Sequence, residues 1–226
     1  MATTGESVDT RLVASRECIG STGVAAPLRQ GPPAWINRSR LLADAYSLAA
    51  AAHGKQRRPS DGRYFLDHVV EVAELLHRAG FDDELVVVGI LHDAVERGTL
   101  GEKELRDEMG VSICSLVIIL SEDPTIASFD QRKAGLRNQV AAAGGWAVTV
   151  YAADKLSDIL GLRRGIETVG NGLEERMGTS IASMATHYRE SVKMIESVRP
   201  GSAFLPALRV ELERLEADVL RQSNVG

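Results

Sequence analysis

The chain has 226 residues, and its 26 Lys and Arg against 31 Asp and Glu leave a formal net charge of −5. Only 4% of the residues are aromatic and the pI is about 5.6, which argues against a stacking platform for single strands and against a general phosphate-backbone binder. Two cysteines, Cys18 and Cys114, make neither a disulfide framework nor a zinc knuckle. No apolar run reaches the roughly 18 residues of a bilayer span, and the start has no signal-peptide character. A cytoplasmic protein is expected, with neither nucleic-acid polymer nor membrane as partner.

Residues 1–35 are rich in Gly, Ser, Thr, Ala and Pro, show no period and read as a flexible leader. A domain is expected over 36–222. Asn37 is read as the N-cap of a first helix, with Leu41, Leu42, Ala45, Leu48, Ala49 and Ala52 as its apolar stripe and Gly54 as its stop. After a basic loop, KQRRPSDGR, the segment FLDHVVEVAELLHR has helical spacing and stops at Gly80. DDELVVVGILHDAVERG would pass for a buried strand on its VVVGIL run, but Asp82 as cap and the continuation into HDAVER predict a buried helix. Two further helices are expected in GEKELRDEM and VSICSLVIIL, then a loop, SEDPTIAS. Helices are predicted again in FDQRKAGLRNQVAAA, WAVTVYAADKLSDILGLRRG, ASMATHYRESVKMIESV and LPALRVELERLEADVLRQ. The leucine stripe of the last reads as core packing first and a seam between copies second, so a homo-oligomer stays open. With no hairpin signal and no repeat, the fold class is all-α: one bundle of about 8–10 helices.

Chemistry has to come from polar residues in places an apolar helix disfavours. His92 and Asp93 interrupt VVVGILHDAVE, His68 sits in FLDHVVEV, and Asp154 sits in VTVYAADKL. Burying an ionised carboxylate costs several kcal/mol unless a cation or strong donors compensate. Two nitrogen and two oxygen donors form a set suited to Mn²⁺, Fe²⁺ or Zn²⁺. Taken singly, His68 reads as a core histidine and Asp154 as a cap or ion-pair partner; the adjacent pair is harder to explain away. Glu96 lies four residues after His92, and Asp158 four after Asp154, so both project toward the same cleft on helical spacing. The loop cations Lys55, Arg57, Arg58 and Arg63 could meet a phosphate or simply be solvated. Lys155, about 100° round the helix from Asp154, is taken as secondary. Lys133 and Arg137 share a face that could extend the basic rim but reads first as solvated, and His53, His77 and His187 read as structural or exposed.

Taken together, HGKQRR…GRYFLDH, ILHDAVE, QRK at 131–133 and ADKLSD resemble, in order and spacing, the HD-domain metal-dependent phosphohydrolases. Within these, the likeness is to the hydrolase domain of the RelA/SpoT group, including the small metazoan SpoT homologues and bacterial small alarmone hydrolases. It covers about residues 40–165. The resemblance implies an all-helical HD domain with one Mn²⁺ on His68, His92, Asp93 and Asp154. It implies hydrolysis of the 3′-diphosphate of guanosine tetra- or pentaphosphate by a metal-activated water. Glu96 would orient or activate that water, Arg57 and Arg58 match the basic pair near the nucleotide, and Tyr64 matches the pocket wall. Three departures stand out: Glu96-Arg97 where the group has Glu-Asp, Asp158 where it has Asn, and a loop two residues longer between the basic pair and His68. Arg97 is thereby placed at the catalytic centre, against a phosphate or in an ion pair with Asp158, and Asp158 at the nucleotide. Two readings follow: a phosphohydrolase of a small phosphorylated nucleotide, and a catalytically weakened nucleotide-binding or regulatory module.

Overall fold

A computed structural model describes residues 31–223 of the chain; residues 1–30, which hold most of the expected leader and Cys18, lie outside the described residues, as do 224–226. Ten α-helices are present among the described residues: α1 (Arg40–His53), α2 (Phe65–Arg78), α3 (Asp83–Leu91), α4 (Glu102–Met109), α5 (Val111–Leu120), α6 (Phe129–Ala143), α7 (Gly145–Val169), α8 (Leu173–Met177), α9 (Ile181–Val198) and α10 (Leu205–Ser223). Extended pairing among them is limited to an isolated bridge between Arg57 and Tyr64. The all-α expectation holds, and no described helix is long and apolar enough to cross a membrane.

Several boundaries differ from the sequence reading. The cap of α1 is Ser39, whose hydroxyl accepts from the Leu42 N–H at 3.3 Å. Asn37 instead belongs to a 3-10 turn, Ala34–Arg38. That turn buries Ile36 completely and stacks Trp35 on His77 at 4.8 Å. The helix α3 begins as expected, with Asp82 accepting from the Leu85 N–H at 2.9 Å, but it ends at Leu91 instead of running through HDAVER. The His92 ring supplies a reason: its Nδ1–H donates to the Gly89 carbonyl at 2.8 Å. That carbonyl is the acceptor the Asp93 N–H would use if the helix went on. Residues 92–97 turn instead, closed by Ala94 N–H to Leu91 and Arg97 N–H to Asp93. The short α8 escaped the sequence reading.

Packing then brings three helices to one place. Residues 85–91 of α3 are all buried, as a helix that is apolar all round must be. It lies across α1 and α2. A Cβ at Gly89 would stand 2.6 Å from Leu76 Cδ1 and 3.3 Å from the Ala73 Cα, so glycine is what lets α3 close on α2. The long α7 is buried without a break from Ala147 to Ser157 and packs on α2, α3, α5, α6, α9 and α10. His68 of α2, the end of α3 and the middle of α7 therefore converge.

Candidate metal centre and cleft

At that convergence His68 and His92 are buried, 2% and 3% exposed. His68 Nε2 stands 3.3 Å from Asp154 Oδ1 and 3.6 Å from Asp93 Oδ2. His92 Nε2 stands 3.5 Å from Asp154 Oδ1 and 3.4 Å from Asp93 Oδ2. One donor atom each from His68, His92 and Asp154 forms a set in which all lie within 4.8 Å of one another, and Asp93 closes on both imidazoles. The His92 ring donates from Nδ1, which leaves the Nε2 lone pair facing the carboxylates, and that buried atom has no hydrogen-bond partner. The His68 ring is held in the same sense, Nδ1 lying 2.9 Å from the Ser157 hydroxyl.

Electrostatics agree with the geometry. Burial opposes charge on His92, yet Asp93 and Asp154 hold its ring well above the ordinary histidine range by favouring a proton on Nε2, the proton that a bound cation would replace to free the lone pair. Burial likewise opposes ionisation of the carboxylates. It is overcome at Asp93 by His92 and His68 and at Asp154 by Lys155 and the two histidines, so both lie well below the usual range. Both carboxylates are thus held ionised with oxygens turned toward the imidazole Nε2 atoms. Two oriented nitrogen lone pairs and two anionic oxygens fit a divalent cation, for which ligand distances of about 2.0–2.2 Å are usual.

The centre opens into a cleft of about 580 Å³ lined by His92, Asp93 and Asp154, by Glu96 and Arg97, and, from the α5–α6 side and α9, by Glu122, Arg132, Lys133 and Tyr188. His68 stands behind this lining. Glu96 is partly buried, accepts the Glu122 N–H at 2.7 Å, and is pushed up from the ordinary carboxyl range by burial and by Asp93. Arg97 is half exposed and lies 3.3 Å from Glu96 Oε1 and 3.6 Å from Asp93 Oδ1. Its ion pair is with these two and not with Asp158. Asp158 is held by Arg58 at 3.0 Å and Lys155 at 2.8 Å.

Neighbouring arginines separate. In the extended loop around the Arg57–Tyr64 bridge, successive side chains leave on opposite faces. Arg58 turns inward, 5% exposed, among Asp158, Asp61 and Glu71. A Cβ at Gly161 would stand 2.7 Å from its guanidinium, so Arg58 lies directly on the α7 backbone. Arg57 turns outward, bonds the Gly62 carbonyl and lies 4.1 Å over the Tyr64 ring. Neither Arg57 nor Tyr64 lines the cleft; Tyr64 borders a separate hollow of about 220 Å³ with Tyr46 and Lys55.

Two residues that the sequence reading placed second, Lys155 and Lys133, and two that it did not single out, Glu122 and Tyr188, line the cleft. Lys155 is buried, with Nζ 2.8 Å from both Asp154 Oδ2 and Asp158 Oδ2; burial opposes its charge but the two aspartates raise it well above the lysine range. Lys133, read as a solvated residue, is buried and bound to Glu122, which also takes Arg132 at 2.5 Å. Glu122 itself had no signal beyond following an apolar run. Tyr188 is 2% exposed and lies in the cleft wall.

The model of the HD domain matches residues 45–159. The chain belongs to the HD-domain family. Among proteins of known name, it is 36% identical over 77 residues to the GTP pyrophosphokinase rsh of Brucella ovis, which is 34% of this chain and 10% of that one. It is 34% identical over 70 residues to a guanosine-3′,5′-bis(diphosphate) 3′-pyrophosphohydrolase of Haemophilus influenzae, 31% of this chain and 10% of that one. The HD-domain chain thus spans about a tenth of the length of the curated relatives it matches. In fold it is similar to a metazoan SpoT orthologue described as hydrolysing ppGpp, with a TM-score of 0.63 at 20% identity, covering 78% of this chain and 94% of that one. It is also similar to a Listeria monocytogenes protein, with a TM-score of 0.58 at 24% identity, covering 66% and 92%.

Proposed function

We propose that this HD-domain chain, acting through a single domain over 36–222, is a metal-dependent phosphohydrolase of a small phosphorylated nucleotide in the cytoplasm. The substrate we infer is guanosine 3′,5′-bis(diphosphate), cut at its 3′-diphosphate. The observation that carries the reading is the pair of buried histidines whose Nε2 atoms face two carboxylates at the head of a cleft, with Glu96 beside them. The names of the Haemophilus and metazoan relatives support the choice of substrate.

His68, His92, Asp93 and Asp154 would hold the cation; their mixed nitrogen and oxygen donors suit Mn²⁺, Fe²⁺ or Zn²⁺, and the resemblance to the RelA/SpoT hydrolase group favours Mn²⁺ among them. Bound there, a divalent cation supplies charge that polarises a phosphoryl oxygen and makes water more acidic. Glu96, with its raised carboxyl and one oxygen anchored by the Glu122 N–H, takes the proton of the attacking water. The water oxygen bonds to the phosphorus attached to O3′, the P–O3′ bond breaks, O3′ takes up a proton, and pyrophosphate leaves. Arg97, half exposed and held at 3.3–3.6 Å, is free to turn toward the phosphate. Arg58 is fully engaged by carboxylates and anchors Asp158 as the floor of the cleft. The test is to follow ppGpp with Mn²⁺-loaded protein by ³¹P NMR. GDP and pyrophosphate are expected, and no pyrophosphate above the level of a His92→Ala, Asp93→Ala control would refute the reading.

The contact of Arg97 with Asp93 and Glu96 favours a second reading, a nucleotide-binding module in which a cation blunts the catalytic acid. It expects ppGpp binding by calorimetry without turnover, and turnover gained on Arg97→Asp.

A further inference from the structure

The two histidines are oriented by different means. His92 donates to a backbone carbonyl of its own helix, which no side chain can tune. His68 lies 2.9 Å from the Ser157 hydroxyl, and that hydroxyl donates to Glu71 Oε2 at 2.7 Å. A carboxylate only accepts, so the serine proton points at Glu71 and the serine oxygen accepts from His68 Nδ1–H. His68 and Glu71 are one turn apart on α2 and face the same way; Ser157 reaches them from α7 and is completely buried. Burial opposes the Glu71 charge, but Arg164, Ser157 and Arg58 hold its carboxyl below the ordinary range. Arg164 spans Glu71 at 3.4 Å and Asp61 at 3.1 Å and is one-third exposed. The chain His68–Ser157–Glu71–Arg164 therefore runs from the metal centre to solvent.

We propose that Ser157 and Glu71 are positioning residues for the metal centre: the Glu71 carboxylate, acting through the Ser157 hydroxyl, fixes His68 as the Nδ1–H tautomer and strengthens Nε2 as a metal donor. The proposal rests on the metal reading of the site. Outer partners of metal-bound histidines act in this way, and their loss costs about 10–100-fold in metal affinity. A plain brace between α2 and α7 would lower thermal stability without changing the ring.

The test uses the full chain, with Ser157→Ala and Glu71→Gln. Calorimetric titration with Mn²⁺ alone is expected to show about 10–100-fold weaker binding for Ser157→Ala and a smaller loss for Glu71→Gln, which keeps the hydrogen bond but not the charge. In ¹⁵N-histidine NMR of the metal-free protein, His68 is expected as the Nδ1–H tautomer in the wild type and as a tautomer mixture in Ser157→Ala. Wild-type Mn²⁺ affinity in a folded Ser157→Ala protein, or an Nε2–H ring at His68 in the wild type, overturns the proposal. Should Ser157→Ala fail to fold, Glu71→Gln decides, and wild-type affinity there overturns it equally. A wild type with no Mn²⁺ affinity would instead refute the metal reading, and the tautomer readout would still decide the relay.

Discussion

The two walls of the cleft are built on opposite plans. On the metal wall, donors come from the interiors of α2 and α7 and the end of α3, and their rings are locked by Gly89 and Ser157. On the facing wall, Glu122 leaves the end of α5, Arg132 and Lys133 stand near the start of α6, and loop residues such as Pro124 and Thr179 complete the lining. The first wall brings together the two carboxylates and two imidazoles that would hold a cation. The second carries two cations on one carboxylate and so keeps an excess of positive charge. A chain with net charge −5 can thus meet a polyanionic nucleotide, because charge is sorted within the cleft and not over the surface.

If the cleft divides the work, substitutions of the metal donors and of Glu96 should remove turnover, while those of the cleft cations should weaken binding. The largest expected effect is Asp154→Asn, which removes both Mn²⁺ binding and activity; an active variant would break the comparison. Next is Glu96→Gln, expected to lower kcat by about 10²–10⁴ with Mn²⁺ affinity retained in a calorimetric titration. Arg97→Ala should raise the KM for ppGpp by roughly tenfold or more, the worth of a hydrogen bond to a charged group, with a smaller change in kcat. Lys133→Met, which keeps the stem and removes the charge, should raise KM less, Arg132 still holding Glu122.

The smallest effect lies behind the facing wall. His187 is buried, accepts Arg137 Nη1 at 2.7 Å, and is held well below its ordinary value of 6.5 by burial and by Lys155 and Lys133. Below pH 6.5 the unfolded chain takes up a proton that the folded chain refuses, so stability is lost as pH falls from 6.5 toward the folded value. Thermal midpoints of His187→Gln should therefore depend less on pH between about 7 and 5 than those of the wild type.

The difference between the walls also decides what the sequence can show. His92, Asp93 and Asp154 are legible because charge inside an apolar helix has to be explained. So is the helical class, from the periodicity and caps of segments such as 65–78. Lys155 was set aside for pointing about 100° away from Asp154, but α7 is buried on every side there and that direction still lies inside the protein. Arg57 and Arg58 looked like a pair because they are adjacent; an extended loop sends them to opposite faces. The end of α3 at Leu91 depends on which carbonyl the His92 ring chooses. Glu122 and Lys133 are eleven residues apart, on either side of a loop whose path no local pattern specifies.

The central claim is that the buried His68, His92, Asp93 and Asp154 constitute a metal centre, and a calorimetric titration of the full chain with Mn²⁺ tests it most directly. One ion per chain in the wild type and none in Asp154→Asn is the predicted result; a wild type that takes up no ion, or an Asp154→Asn variant that binds as tightly as the wild type, would contradict it.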